Sequence, residues 1–368
     1  MSQRPVRRIA IFAPHFAEYS FRLACACAGR ADVLLFLDRM NQQREIDADL
    51  FGHKPERLRV VAFDSVGRSN RIKSLTRITA ELLRFRPDVL LVQEQIDALT
   101  AWVCRVNGRL YPMLLTVHDP SPHTGADTQY VIDNAKNRAA IRNVARAYHV
   151  HGAFCRDQLV REMGAGKPIV ETTHAVILTP PADAPATPPE PGRILMFGRM
   201  EAYKGLGILL DAVDMLARRG VAFKLVIAGR GPELDRLASR IEGRQDIEIL
   251  NTFLTPAEAS TEFQRADVVV TPYLNATQSG VVAAAFGNGR PVVASRAGGL
   301  ADSVIDSVNG LLVPAGDAGE LAAALERVLT DRPFRESLAA GARASADTTY
   351  DWGNVAERLL NFSEITIC

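Results

Sequence analysis

The sequence predicts an α/β protein made of two doubly wound parallel sheets. Three observations carry this. Short apolar runs recur along the chain and alternate with helical stretches, the pattern of strands buried on both faces. A Pro- and Ala-rich break, LTPPADAPATPPEPG at 178–192, interrupts the alternation near the middle, after which the pattern starts again. The length of 368 residues suits two domains of ordinary size.

In the first domain, 1–177, residues 9–13 read as a strand closed by Pro14, and 20–28 as a helix ended by Gly29. Further strands are expected at 33–37, 60–63, 89–92 and 113–117, with helices at 75–85 and 98–106. Strands at 149–152 and 169–171 follow, separated by a helix at 156–163. The break at 178–192 carries too much proline for a helix or a central strand and reads as a semi-rigid linker. In the second domain, 193–350, strands are expected at 193–197, 223–228, 247–250, 268–270, 291–294 and 311–313. Helices are expected at 206–218, 233–241, 257–264, 281–286, 300–305, 318–329 and 334–346. A last helix, 351–362, places Trp352, Val355, Leu359 and Leu360 on one side. Such domains bind ligands at the C-terminal ends of their strands, which places the expected site in an interdomain cleft.

Composition narrows the partners. A hydrophobic fraction of 47% and a charged fraction of 23% are those of a soluble globular protein. A net charge of +1 argues against nucleic acid as a partner. Five scattered cysteines (Cys25, Cys27, Cys104, Cys155, Cys368) fit a reducing, cytoplasmic setting. Cys25 and Cys27 stand too close for a usual metal pair and no His/Cys cluster follows, so no metal is expected and both read as small core residues. No apolar run approaches the roughly 20 residues that span a bilayer. The basic start, MSQRPVRR, reads as a lead into a strand, not as a signal peptide.

The chemistry gathers in a few stretches. Residues 266–299 read as strand, tight loop, helix, strand, with Thr277, Gln278, Ser279 and Gly280 in the loop. Such a loop offers unpaired N–H groups and the positive end of a helix, an anion site, with Ser279 or Thr277 as a cap. A diphosphate loop and an ordinary buried unit explain this stretch equally well. Arg199 and Lys204 lie five residues apart, after a strand and before a helix. They fit a clamp for a departing diphosphate, or plain solvated loop residues. The turn IAGRGP at 227–232 lets the backbone approach a ligand at Gly229. It lacks the third glycine of a dinucleotide fingerprint, and no Walker sequence occurs. His118, in TVHD at 116–119, ends a strand where it can reach a sugar or a phosphate oxygen, although a lone His is more often structural.

GRMEAYKG, IAGRGPE, ADVVVTPY, GNGRPVVAS and GGLADSV…NGLLVPAGD look like the C-terminal half of retaining glycosyltransferases of family 4, which have the GT-B fold. RPDVLLVQ and TVHD resemble the first half more loosely. The resemblance implies transfer of a hexose, with retention and without a metal, from a UDP- or GDP-sugar. The nucleotide-sugar is a co-substrate and no cofactor is implied. It places Arg199 and Lys204 on the diphosphate, with Gly198, Gly229, Thr277, Gln278, Ser279, Gly280 and Val281 around the donor. His118 is set beside the reacting sugar, and the backbone of Asn251, Phe253 and Leu254 against the base. The acceptor is a glycan or lipid-linked glycan of surface polysaccharide synthesis, and the last helix (351–368) crosses back to the first domain.

The chain departs from that pattern in two places. The family's two motif glutamates align with Ala276 and Ala284, neither of which can accept a hydroxyl's hydrogen bond. Pro14-His15-Phe16 stands where a glycine-rich loop is usual, which implies a differently shaped acceptor site with His15 and Asp119 as contacts. Loss of both acids leaves a non-catalytic partner subunit as an alternative. A nucleotide-sugar epimerase is a third, but it needs acid/base residues that these positions scarcely supply. Arg68, Arg71, Lys73, Arg77, Arg84 and Arg86 surround one helix, and Arg138, Arg142 and Arg146 recur on another. Such stripes hold a protein to an anionic membrane at roughly 1 kcal/mol per basic residue, or are simply solvated faces.

Overall fold

The computed structural model describes residues 7–121, 126–180 and 187–366. Residues 181–186 of the Pro-rich stretch, and Cys368, lie outside them. The chain divides into two compact units. One comprises Met1–Thr173 with Trp352–Cys368, the other His174–Asp351.

The first unit carries a seven-stranded sheet. Its strands are β1 (Arg8–Ala13), β2 (Asp32–Asp38), β3 (Leu58–Phe63), β4 (Val89–Gln93), β5 (Met113–Val117), β6 (Ala147–His151) and β7 (Ile169–Thr172). Their order is β3-β2-β1-β4-β5-β6-β7, and every pairing is parallel. All residues of β4, β5 and β6 are buried, because helices cover both faces of a parallel sheet. Phe12 of β1 stacks on Phe63 of β3 at 5.2 Å and anchors one side of the core. The order reverses between β1 and β4, so the loops after β1 and β5 open at the same edge.

The second unit carries six strands: β8 (Arg193–Phe197), β9 (Lys224–Ala228), β10 (Ile247–Leu250), β11 (Val268–Thr271), β12 (Val292–Ser295) and β13 (Gly310–Val313). Their order, β10-β9-β8-β11-β12-β13, is also wholly parallel, with the switch between β8 and β11. Side chains alternate across each strand, so Ile194 and Met196 face the helix Leu206–Arg218 while Leu195 joins Val282 and Phe286 on the opposite face.

Several expectations need correction. The stretch 174–177, assigned to the first domain, belongs to the second unit, where Val176 and Ile177 pack on its core. The helix expected at 233–241 is two short helices, Pro232–Arg236 and Ala238–Ile241, broken at Leu237 (φ −107°). The basic helix is Arg68–Phe85, seven residues longer at its start than the apolar pattern showed. Arg142 is no part of a solvated or membrane-facing stripe. It is 1% exposed and pairs with Glu94 and Glu162 at 2.7 and 3.0 Å. Cys27 is buried and Cys25 half-buried; burial lifts their thiols to about 12 and about 11.

Candidate functional site

In the second unit the candidate residues gather at the C-terminal ends of β8, β9 and β11. The chain leaves β8 through Gly198, whose φ of 109° an L side chain rarely adopts, and whose added Cβ would stand 3.0 Å from Lys204 Nζ. The positive φ favours glycine here, and a side chain would also press on that ammonium. Lys204 ends a single 3-10 turn, Ala202–Lys204. The turn is held to the loop after β11 by Leu274 N–H donating to the Tyr203 carbonyl at 2.7 Å. The Lys204 side chain is only 8% exposed. Its Nζ donates to the Tyr273 hydroxyl at 3.1 Å and lies 4.7 Å from that ring's centroid. No carboxylate pairs with it among the described residues. A buried ammonium supported by one hydroxyl and one ring face is poised for an anion. Arg199, next in sequence after Gly198, is exposed.

The loop 277–280 leads into the helix Gly280–Gly287. The expected side-chain cap is absent: Ser279 is the N-cap residue by position, yet it makes no side-chain cap bond. Its buried Oγ and the buried Oε1 of Gln278 have no hydrogen-bond partner among the described residues. Val281 lies near Gly198, its Cγ2 3.9 Å from the position of an added Cβ there, so the helix start and Lys204 share one locality. Gly229 closes the same end of the sheet, its N–H bound to the Leu250 carbonyl. Asn251 and Phe253 are exposed, Phe253 by 61%, and Leu254 is half-buried. Ala276 and Ala284 are buried in the apolar cluster, which leaves no space for a longer acidic side chain without repacking. Sequence reasoning missed His174. Its ring packs against Gly280, and its Nδ1 donates to the Ala175 carbonyl at 3.0 Å.

In the first unit the structure brings His15 and His118 together at the ends of β1 and β5, their rings 6.3 Å apart. Phe16, in the left-handed region at φ 55°, turns its ring to 4.2 Å from that of His118. His118 is buried, and its Nε2 donates to the Gln93 oxygen at 2.8 Å. Burial pushes His15 down to about 4, against a smaller opposing pull from exposed Asp119. Three further rings were not foreseen. His151 lies 4.9 Å from His118, Tyr19 packs edge-on at 5.2 Å, and Trp352 covers Tyr19 at 4.9 Å. Their one sequence signal was that His151 ends β6 and Trp352 begins the last helix; Tyr19, inside the helix Ala17–Cys27, carried none.

Among the described residues no helix is long and apolar enough to cross a membrane. Residues 191–331 match the family model described as glycosyl transferases group 1. The chain is 30% identical over 289 residues to a phosphatidyl-myo-inositol mannosyltransferase of Mycobacterium leprae, covering 75% of this chain and 73% of that protein. It spans about half the length of several other curated relatives it matches. Among solved structures, sucrose-phosphate synthase from Thermosynechococcus elongatus superposes with a TM-score of 0.71 at 19% identity over 98% of both chains. Anabaena Alr3699/HepE in complex with UDP-glucose superposes at 0.68 and 17% identity, over 96% of this chain and 99% of that one. These likenesses show the fold, two Rossmann-like α/β domains of the GT-B type. By sequence, the chain belongs to the group 1 glycosyltransferases.

Proposed function

We propose that this chain transfers a hexose from a UDP- or GDP-sugar to a glycan or lipid-linked glycan, with retention of configuration and without a metal. One observation carries the reading: Lys204 is a buried ammonium without a carboxylate partner among the described residues, set near the start of a helix whose loop hydroxyl, Ser279 Oγ, is also unpartnered. When the sugar–phosphate bond breaks, the diphosphate gains negative charge. Lys204, Arg199 and the first N–H groups of the helix Gly280–Gly287 stabilise that charge more than they stabilise the intact donor, which is what lowers the barrier.

With alanine at 276 and 284, donor hydroxyls fall to Thr277, Gln278 and Ser279. Asn251, Phe253 and Leu254 are assigned to the base. His118 positions the sugar, and His15 with Asp119 meets the acceptor. The UDP-glucose held by the Anabaena neighbour favours uridine over guanosine here. The helix Arg68–Phe85 supports contact with the anionic inner face of a membrane, since Ile72 and Leu83 are about half exposed among its basic residues.

Thermal-shift screening against UDP, GDP, ADP and their sugars tests the donor assignment; stabilisation by UDP or GDP is expected, and none by any of them would defeat it. Incubation with donor alone separates the reaction classes. Hydrolysis or transfer supports the proposal, an isomerised sugar means an epimerase, and binding without turnover in the presence of acceptors means a silent partner subunit.

A further inference from the structure

The N-terminal ends of β8, β11 and β12, opposite the Lys204 site, hold a second cluster of positive charge. Strands of four or five residues separate it from the Lys204 site by about 15 Å. Arg290 and Pro291 precede β12, Asp267 precedes β11, and Pro191 precedes β8. With Pro189 and one face of the helix Arg332–Asp347 they line a cavity of about 400 Å³.

Four arginines line it and two acids oppose them. The acids are already engaged. Asp267 accepts from Gly192 N–H at 2.7 Å and pairs with Arg335 at 3.3 Å, while Glu336 pairs with Arg332 at 2.7 Å. Arg290 and Arg343 have no carboxylate partner among the described residues. Among the described residues Arg290 reaches the Thr187 carbonyl at 3.4 Å, and its buried Nε has no partner there. Arg343 reaches only the Gly289 carbonyl at 3.5 Å. Gly289 has φ 65°, and a Cβ there would stand 2.9 Å from Arg343 Cγ, so this glycine makes the bed for the Arg343 stem. Burial, and then the neighbouring Arg343 cation, hold Arg290 below the usual guanidinium range, against a smaller opposing pull from Asp267. Arg290 is half-buried and Arg343 exposed, so water screens part of the repulsion between the two cations and a bound anion would relieve the rest.

We propose that this cavity binds the phosphoryl group of a small soluble phosphomonoester, at a site separate from the diphosphate loop. Two guanidinium forks outside any ion pair among the described residues match the charge and the several acceptor oxygens of a phosphate dianion. The volume exceeds that of bare phosphate, and Pro189, Pro191 and Pro291 give the rest of the ligand an apolar wall.

The test is calorimetric titration of the whole chain with inorganic phosphate at constant ionic strength, on Lys204→Ala protein so that the loop site does not contribute. Saturable binding of one equivalent is expected, weakened at least tenfold in the added Arg290→Gln/Arg343→Gln background. If that background does not fold, Arg343→Gln alone decides. Without phosphate its melting temperature should rise, because the repulsion is gone, and its gain from phosphate over chloride should vanish. No saturable binding to the Lys204→Ala protein, or unchanged binding and melting in the Arg343→Gln protein, would overturn the proposal.

Discussion

A buried ion in a protein is costly unless it is paired, and this chain treats three of its buried cations differently. Arg142 is fully compensated: Glu94 takes two of its nitrogens at 2.7 and 2.9 Å, and Glu162 a third. Removing one partner of such a pair strands the other, so Arg142→Met should cost about 3–5 kcal/mol in urea unfolding of the first unit. A cost below 1 kcal/mol would show that the pair is not buried in solution. Lys204 is compensated only by a hydroxyl and a ring, and is read as awaiting its partner. Arg193 sits between: Glu190 at 3.0 Å and Glu262 take its terminal nitrogens, while its buried Nε has no partner among the described residues.

His15 extends the same reasoning to pH. Its folded value, about 4, lies below the unfolded value of 6.5, so the folded state binds fewer protons between these limits. Its contribution is therefore complete above pH 6.5 and is lost as pH falls towards 4, by about 2 kcal/mol at pH 5. His15→Gln should flatten that part of the stability profile; an unaltered profile would place His15 in water. None of this was readable from the chain. Arg142 looked like one of three helical arginines, and only the fold brings Glu94, 48 residues away, onto it.

At the level of elements, the strands were legible because parallel strands buried on both faces are continuous apolar runs, as at Val89–Gln93 and Met113–Val117. Short helices were not. Arg39–Glu45 buries no residue and exists because Asp38 Oδ1 accepts the N–H groups of Met40 and Asn41. The turn Ala202–Lys204 was visible only as a glycine-flanked cation, and its structural reason is Gly205. With φ 73°, an added Cβ at Gly205 would meet the Pro272 carbonyl oxygen at 2.0 Å. Gly205→Ala should therefore cost more than about 2 kcal/mol and loosen the turn that aims Lys204. Calorimetry should show the loss in the second unit, together with weaker UDP binding. Wild-type behaviour in both would remove this turn from the site.

At the scale of the whole molecule, the chain closes on itself. The helix Trp352–Thr366 follows the second unit in sequence but belongs to the first, where Trp352, Val355, Leu359 and Leu360 are buried and Arg30 meets Glu357 and Asn361. Ending the chain at Asp351 exposes this face and the Tyr19 ring. The melting transition of the first unit should then fall by several degrees while that of the second stays in place; equal shifts in both would contradict the division. The first unit's ring cluster was only half legible, since His151, Tyr19 and Trp352 join His118 through strand order and this returning helix, not through spacing. The Lys204 end of the second unit was more legible, because its glycines and cations lie in short motifs around single strand ends. The central claim is that the second unit grips a diphosphate through Lys204. The most direct test is calorimetric titration of UDP into wild-type and Lys204→Ala protein, with folding checked by circular dichroism. The account predicts a loss of about 1.5–3 kcal/mol, more than tenfold in affinity. Equal affinity in a folded variant would contradict it.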